Sequence, residues 1–89
     1  MNEERDLAEE ARRGEHAKAL LEDPILLEML ERMEAHYVET WRKSGTADVQ
    51  VRERAWMQCA LVNDFRQQLR TVAEGGQLAR SVLERMRRR

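Results

Sequence analysis

The chain has 89 residues, of which 37% are charged and 42% hydrophobic, and its formal net charge is −1 at pH 7. This length allows one domain at most, 1–89, and the single cysteine excludes an intramolecular disulfide. No apolar run approaches the ~18–20 residues that cross a bilayer, so we expect a cytoplasmic protein that does not bind membranes.

The charges are divided unevenly along the chain. Acidic residues dominate residues 1–43, and basic residues dominate residues 44–89. Such an asymmetry can orient partners or allow copies of a chain to stack head to tail. Because the apolar residues recur at helical spacing, the high charged fraction indicates helices with solvated outer faces rather than a disordered chain.

The first predicted helix covers residues 3–22 and has only a thin apolar face. Gly14 interrupts this face and costs about 1 kcal/mol relative to alanine. Residues 1–12 are mostly charged or alanine, so we expect them to fray unless a partner covers Leu7 and Ala11. The face consists of Leu7, Ala11, Ala17, Leu20 and Leu21.

Asp23 and Pro24 mark the start of the second predicted helix, 24–43. Proline keeps the residue before it out of the helical region, and an Asp cap followed by proline at the first helical position is a favoured start. The apolar residues that follow lie three or four positions apart, as on one face of a helix. They are Leu26, Leu30, Met33, Tyr37 and Trp41.

Ser44 and Gly45 are expected to end the second helix by the usual C-terminal glycine signal. The third predicted helix, 47–74, carries a heptad-like seam of apolar side chains. Gln58 is the polar member of this seam, and it either fixes the register or lies at the edge. The seam consists of Val51, Ala55, Gln58, Val62, Phe65, Leu69 and Val72.

Gly75 and Gly76 are expected to stop the third helix. A short C-terminal helix then follows, with Leu78, Val82 and Met86 on one face. The arginine-rich end of this segment, 85–89, is expected to fray.

These elements predict an all-α fold, in which helices 24–43 and 47–74 form an antiparallel helical hairpin. An additional N-terminal helix and a short C-terminal helix complete it. A helix of about 28 residues is about 42 Å long, whereas a compact domain of this size is roughly 30 Å across. Apolar residues at the end of an overlong helix would form an interface, so we expect a protein partner or self-association.

The sequence carries no arrangement of residues that is typical of catalysis. His16 and His36 belong to no metal-ligand motif, and Cys59 has no second cysteine with which to form a closed zinc site. The Gly75-Gly76 pair lacks the lysine and the strand of a phosphate-binding loop. We therefore expect no enzymatic activity, no cofactor, no metal ion and no small-molecule substrate.

Two sets of residues are candidates for binding. The first is a candidate partner surface, because tryptophan is enriched at interaction hot spots and a partner would cover the weak first helix. It consists of Leu7, Ala11, Trp41 and Trp56. The second is a candidate contact with nucleic acid phosphates, consisting of Arg80, Arg85, Arg87, Arg88 and Arg89.

Two stretches carry a resemblance to a known group of proteins. The run 13–24, with Gly14 and the Asp23-Pro24 pair, leads into a helix with Tyr37 and Trp41. Residues 52–56, Arg-Glu-Arg-Ala-Trp, lead to 75–79, Gly-Gly-Gln-Leu-Ala. Together they resemble small helical proteins encoded in the head and DNA-packaging modules of tailed phages and prophages.

This resemblance implies a non-enzymatic role in virion assembly or DNA packaging through protein–protein contacts. It places the protein in the host cytoplasm or in the virion, and it carries over no functional residue. Two alternatives remain open: a DNA-binding packaging or regulatory subunit, and a small phage inhibitor of a host protein. The inhibitor would present an acidic surface formed by Glu3, Glu4, Asp6, Glu9 and Glu10.

Overall fold

The chain is all-α, as its periodicity predicts. The computed structural model describes residues 2–88, and within that range it contains three α-helices and no strand. They are α1 (Glu3–Leu21), α2 (Pro24–Lys43) and α3 (Val49–Arg87). In this same range, no helix combines the length and the apolar character that a membrane span requires.

The start of α2 has the predicted cap. The Asp23 side chain accepts hydrogen bonds from the backbone N–H groups of Ile25 and Leu26, each at 2.9 Å. Pro24 occupies the start of the helix, where its missing N–H costs no hydrogen bond. Asp23 itself is extended, so the boundary with α1 is sharp.

The end of α2 lies where it was predicted, but glycine does not produce it. Ser44 is extended, and no described glycine has a positive φ. The Ser44 side chain instead donates a 2.6 Å hydrogen bond to the carbonyl of Trp41. The next helix begins at Val49, and its first backbone hydrogen bond runs from Arg52 to the carbonyl of Asp48.

The predicted short C-terminal helix is wrong. Residues 77–87 continue α3, which has 39 residues and passes through Gly75 and Gly76 without a break. A glycine ends a helix when it adopts the left-handed conformation, and neither glycine does so. The third helix therefore does not end at residue 74.

The chain divides into two compact units. The first contains α1 and the part of α3 from Gln67 onward, and the second contains residues Asp23–Arg66. In the first unit the buried residues are small, apart from one leucine. They are Gly14, Ala17, Gly76, Ala79 and Leu83.

Ion pairs flank the core of the first unit. Arg80 lies 2.7 Å from Glu15, and Arg87 lies 3.4 Å from Glu4. All four side chains remain largely in solvent, so each pair contributes about 0–1 kcal/mol to stability.

The buried face of α3 in the first unit differs from the predicted one. Leu78 and Met86 are exposed, whereas Ala79 and Leu83 are buried. The reason is the uninterrupted helix. Once α3 continues through Gly76, the residues three and seven positions later fall on the same face as that glycine.

The second unit has a core of Leu30 from α2 with Ala55 and Val62 from α3. Arg66 reaches across to Glu34, and its Nη1 donates to the carboxylate at 2.9 Å. Only 19% of the Arg66 side chain is exposed, so this pair is better shielded from water than the surface pairs. The core is small, and much of the apolar surface of this unit is left uncovered.

Candidate protein-interaction surface

The second unit has more apolar side chains than it buries. Leu30 is the buried member of the α2 stripe, while Met33 and Trp41 are almost half exposed. On α3, Ala55 and Val62 are buried, but Trp56 and Leu61 lie in solvent. The part of α3 in this unit is therefore apolar on more than one side, and α2 covers one side.

A groove of about 510 Å³ runs between α2 and α3 in this unit, and we call it the α2–α3 groove. Leu30 and Val62 form its buried floor. Its walls come from one exposed flank of each helix. The lining residues are Leu26, Met29, Leu30, Met33, Tyr37, Gln58, Leu61, Val62 and Phe65.

The walls of the α2–α3 groove are apolar and accessible. Met33 is 45% exposed, Leu61 66% and Phe65 48%. Among the described residues, no charged side chain lines the groove, and its polar side chains are those of Tyr37 and Gln58. A surface without charge at its centre is typical of the core of a protein–protein interface.

A second groove, of about 520 Å³, brings the two tryptophans of the unit together. We call it the tryptophan groove. Arg52 lies over the ring of Trp41, with its guanidinium carbon 5.8 Å from the ring centroid, a cation–π geometry. Trp56 is 65% exposed. The lining residues are Trp41, Val49, Arg52, Glu53, Trp56 and Met57.

The candidate partner residues belong to both units. Trp41 and Trp56 share the tryptophan groove of the second unit. Leu7 and Ala11 lie on α1 in the first unit, and both are half-buried. Ala11 lines a depression of about 380 Å³ together with Arg80 and Leu83. Two of the four predicted residues therefore belong to each unit.

The candidate arginines are partly engaged within the chain. Arg80 and Arg87 pair with α1 carboxylates, while Arg85 and Arg88 are exposed near the end of α3. Arg89 lies outside the described residues, as does Met1 in the segment 1–12 that was expected to fray. Arg80 and Arg87 line the depression beside Ala11 together with Arg12, whereas Arg85 and Arg88 are not among its lining residues.

Cys59 and His36, which the sequence offers for chemistry, both lie in the second unit. Cys59 is half-buried, and His36 packs edge-on against Tyr37, with ring centroids 5.6 Å apart. Among residues 2–88, no three His, Cys, Asp or Glu side chains are grouped so that they could hold a metal ion.

The α2–α3 groove was not predicted from the sequence as a binding surface. Met33 and Phe65 were assigned to buried stripes, and Leu61 was given no role. The signal was present, since Met57, Leu61 and Phe65 are four residues apart and form a second apolar stripe on α3. A second stripe of this kind needs a second neighbour to cover it.

No family model matches the chain, and neither a curated protein nor a solved structure matches it. The resemblance to phage proteins therefore stays a prediction.

Proposed function

We propose that this protein is a non-enzymatic assembly factor that binds another protein chain in the α2–α3 groove. The observation that supports the proposal is the accessible, uncharged groove wall formed by Met33, Leu61 and Phe65. In the proposed active form, α2 and the first part of α3 act as a helical hairpin. The hairpin offers one flank to its partner.

The chemistry of the groove favours an apolar helix as the occupant. Grooves between two helices accept the apolar face of a third helix, which inserts side chains at helical spacing. Methionine suits such a groove because its flexible thioether adapts to irregular surfaces. Burying each additional leucine- or phenylalanine-sized side chain contributes about 1.5–3 kcal/mol before the costs of association.

The resemblance to proteins of phage head and packaging modules supports virion assembly or DNA packaging as the process. The partners would then be head, portal or terminase proteins encoded in the same genome. Such a protein would act in the host cytoplasm and could enter the virion. Its role would be to position other chains through contacts in the α2–α3 groove.

Photo-cross-linking tests this proposal. A benzoylphenylalanine at position 61 lies in the groove, and the same probe at position 78 lies on the same helix at nearly equal exposure, 64% against 66% for the natural leucines. Mixed with the purified head, portal and terminase proteins, the position-61 probe should form cross-links that the position-78 probe does not. Equal labelling from both positions, or none, would argue against the groove as a binding surface.

DNA binding is the alternative, and the exposed Arg85 and Arg88 near the end of α3 favour it. Contacts of this kind are salt-dependent, because bound cations leave the DNA when arginines bind phosphates. If DNA binding is the function, retardation of DNA at low salt should disappear when residues 85–89 are removed. Absence of retardation by the full chain at low salt would reject this alternative.

A further inference from the structure

We infer that the occupant of the α2–α3 groove is the same groove of a second copy of this chain. Two copies of α2 and of residues 49–66 of α3 then form a four-helix bundle around a shared apolar core. The inference rests on the proposed function, and it specifies the partner that the groove binds first.

The groove walls leave large apolar side chains uncovered. Met29, Met33, Leu61 and Phe65 line the groove and are 39%, 45%, 66% and 48% exposed. A second copy in a twofold arrangement would cover the same four side chains on both chains in one contact.

The absence of charge in the groove allows it to bind itself. In a twofold dimer each copy presents the same patch, so a patch rich in one sign of charge would repel its own image. Within residues 2–88, no charged residue lines the α2–α3 groove, and the exposed walls of the groove are Met29, Met33, Leu61 and Phe65. Such a surface is compatible with a copy of itself.

Gln58 gives the paired grooves a specific register. Its side chain is half-buried in the groove and makes no hydrogen bond to another described residue. Closing the groove would remove water from this amide, and an unpaired buried amide is costly. An amide can pair with another amide, so the Gln58 side chains of the two copies satisfy each other at the twofold axis, as buried polar residues do in coiled coils.

Sedimentation equilibrium of the full chain, from about 1 to 200 μM, tests the inference. We expect the mass to approach twice 10.5 kDa as concentration rises. Leu61→Glu should raise the dissociation constant at least about 30-fold, as expected for loss of an interface hot spot. The control is Leu78→Glu, a similarly exposed leucine on the same helix in the other unit, which should leave the constant within about twofold.

Circular dichroism of each variant at the same concentrations verifies that the helices remain. Gln58→Leu provides a second test of the geometry. It removes the amide that selects the register, so we expect it to broaden the mass distribution toward higher oligomers while the chain still associates.

The outcomes separate this inference from the proposed function. A wild-type chain that remains monomeric at 200 μM, or a dimer that Leu61→Glu leaves intact, overturns self-pairing. If the position-61 photo-probe then still labels a head, portal or terminase protein, the groove binds a different partner and the proposed function stands. If that probe also labels nothing, both fail.

Discussion

Gly14 of α1 and Gly76 of α3 bring two helix backbones into contact at a point where neither residue can carry a side chain. A Cβ atom built on Gly76 would lie 2.5 Å from the Cα of Gly14 and 3.1 Å from the carbonyl oxygen of Glu10. These neighbours are backbone atoms, so no side-chain rotation can relieve the clash. The two glycines, which look like helix breakers in the sequence, are therefore packing residues of the first unit.

We predict that Gly14→Ala and Gly76→Ala each destabilise the first unit by about 1–3 kcal/mol, because the added methyl groups overpack the crossing. Thermal unfolding followed by circular dichroism measures the loss. Gly75→Ala is the matched control, since its Cβ would meet only the flexible Glu10 carboxylate, at 3.2 Å. This substitution should stabilise the helix by up to about 1 kcal/mol. Equal effects at positions 75 and 76 would contradict the close crossing.

Leu30→Ala should lower the free energy of unfolding of the second unit by about 2–5 kcal/mol, since it leaves a cavity in a small core. Urea denaturation gives the value. Ile25→Ala is the control on the same helix, because Ile25 is 65% exposed and its loss should cost less than about 0.5 kcal/mol. Leu69 is half-buried, so Leu69→Ala should fall between the two. A Leu30→Ala variant as stable as the control would show that Leu30 is not part of the buried core.

Asp23→Ala should cost about 0.5–2 kcal/mol, because the variant leaves the N–H groups of Ile25 and Leu26 without their side-chain acceptor. Asp23→Asn keeps an acceptor oxygen and should retain most of the stability. The difference between these two variants in urea denaturation isolates the cap from the loss of a charge. If asparagine proves no better than alanine, the cap contributes little.

Glu39 should titrate below its ordinary pKa of 4.5, chiefly because Arg42 donates hydrogen bonds to its carboxylate, with a smaller contribution from Lys43. A lowered pKa in the folded chain means that the interaction is present at neutral pH and is lost as the pH falls through the folded-state pKa. Carboxyl-carbon NMR titration measures it. In Arg42→Ala the pKa should move back toward 4.5, and an unchanged pKa would exclude the hydrogen bond as its cause.

The helices and two of their boundaries could be predicted because the signals are local. The Asp23-Pro24 start and the Ser44 end depend on residues within a few positions of each other. The continuity of α3 could not be predicted in this way. Gly75 and Gly76 have the same local preferences whether a helix stops there or packs there, and the deciding contact comes from Gly14, more than 60 residues away in the sequence.

The exposure of the α2–α3 groove could not be predicted from the sequence either, for a related reason. Helical spacing identifies which residues share a face, but it does not say how many faces the chain itself can cover. Leu61 and Phe65 follow the same spacing as the buried Val62 stripe, and only the packed structure shows that α2 leaves them in solvent.

Methionine oxidation tests whether the α2–α3 groove is the surface that binds a protein chain. Met29 and Met33 lie in the groove and Met86 lies in the other unit, and the three are 39%, 45% and 40% exposed. Their oxidation rates with dilute peroxide are read by mass spectrometry at 1 and 200 μM chain, and again with the head, portal and terminase proteins added. We expect Met29 and Met33 to become protected upon association while Met86 continues to react. Unchanged relative rates of the three methionines under all conditions would contradict it.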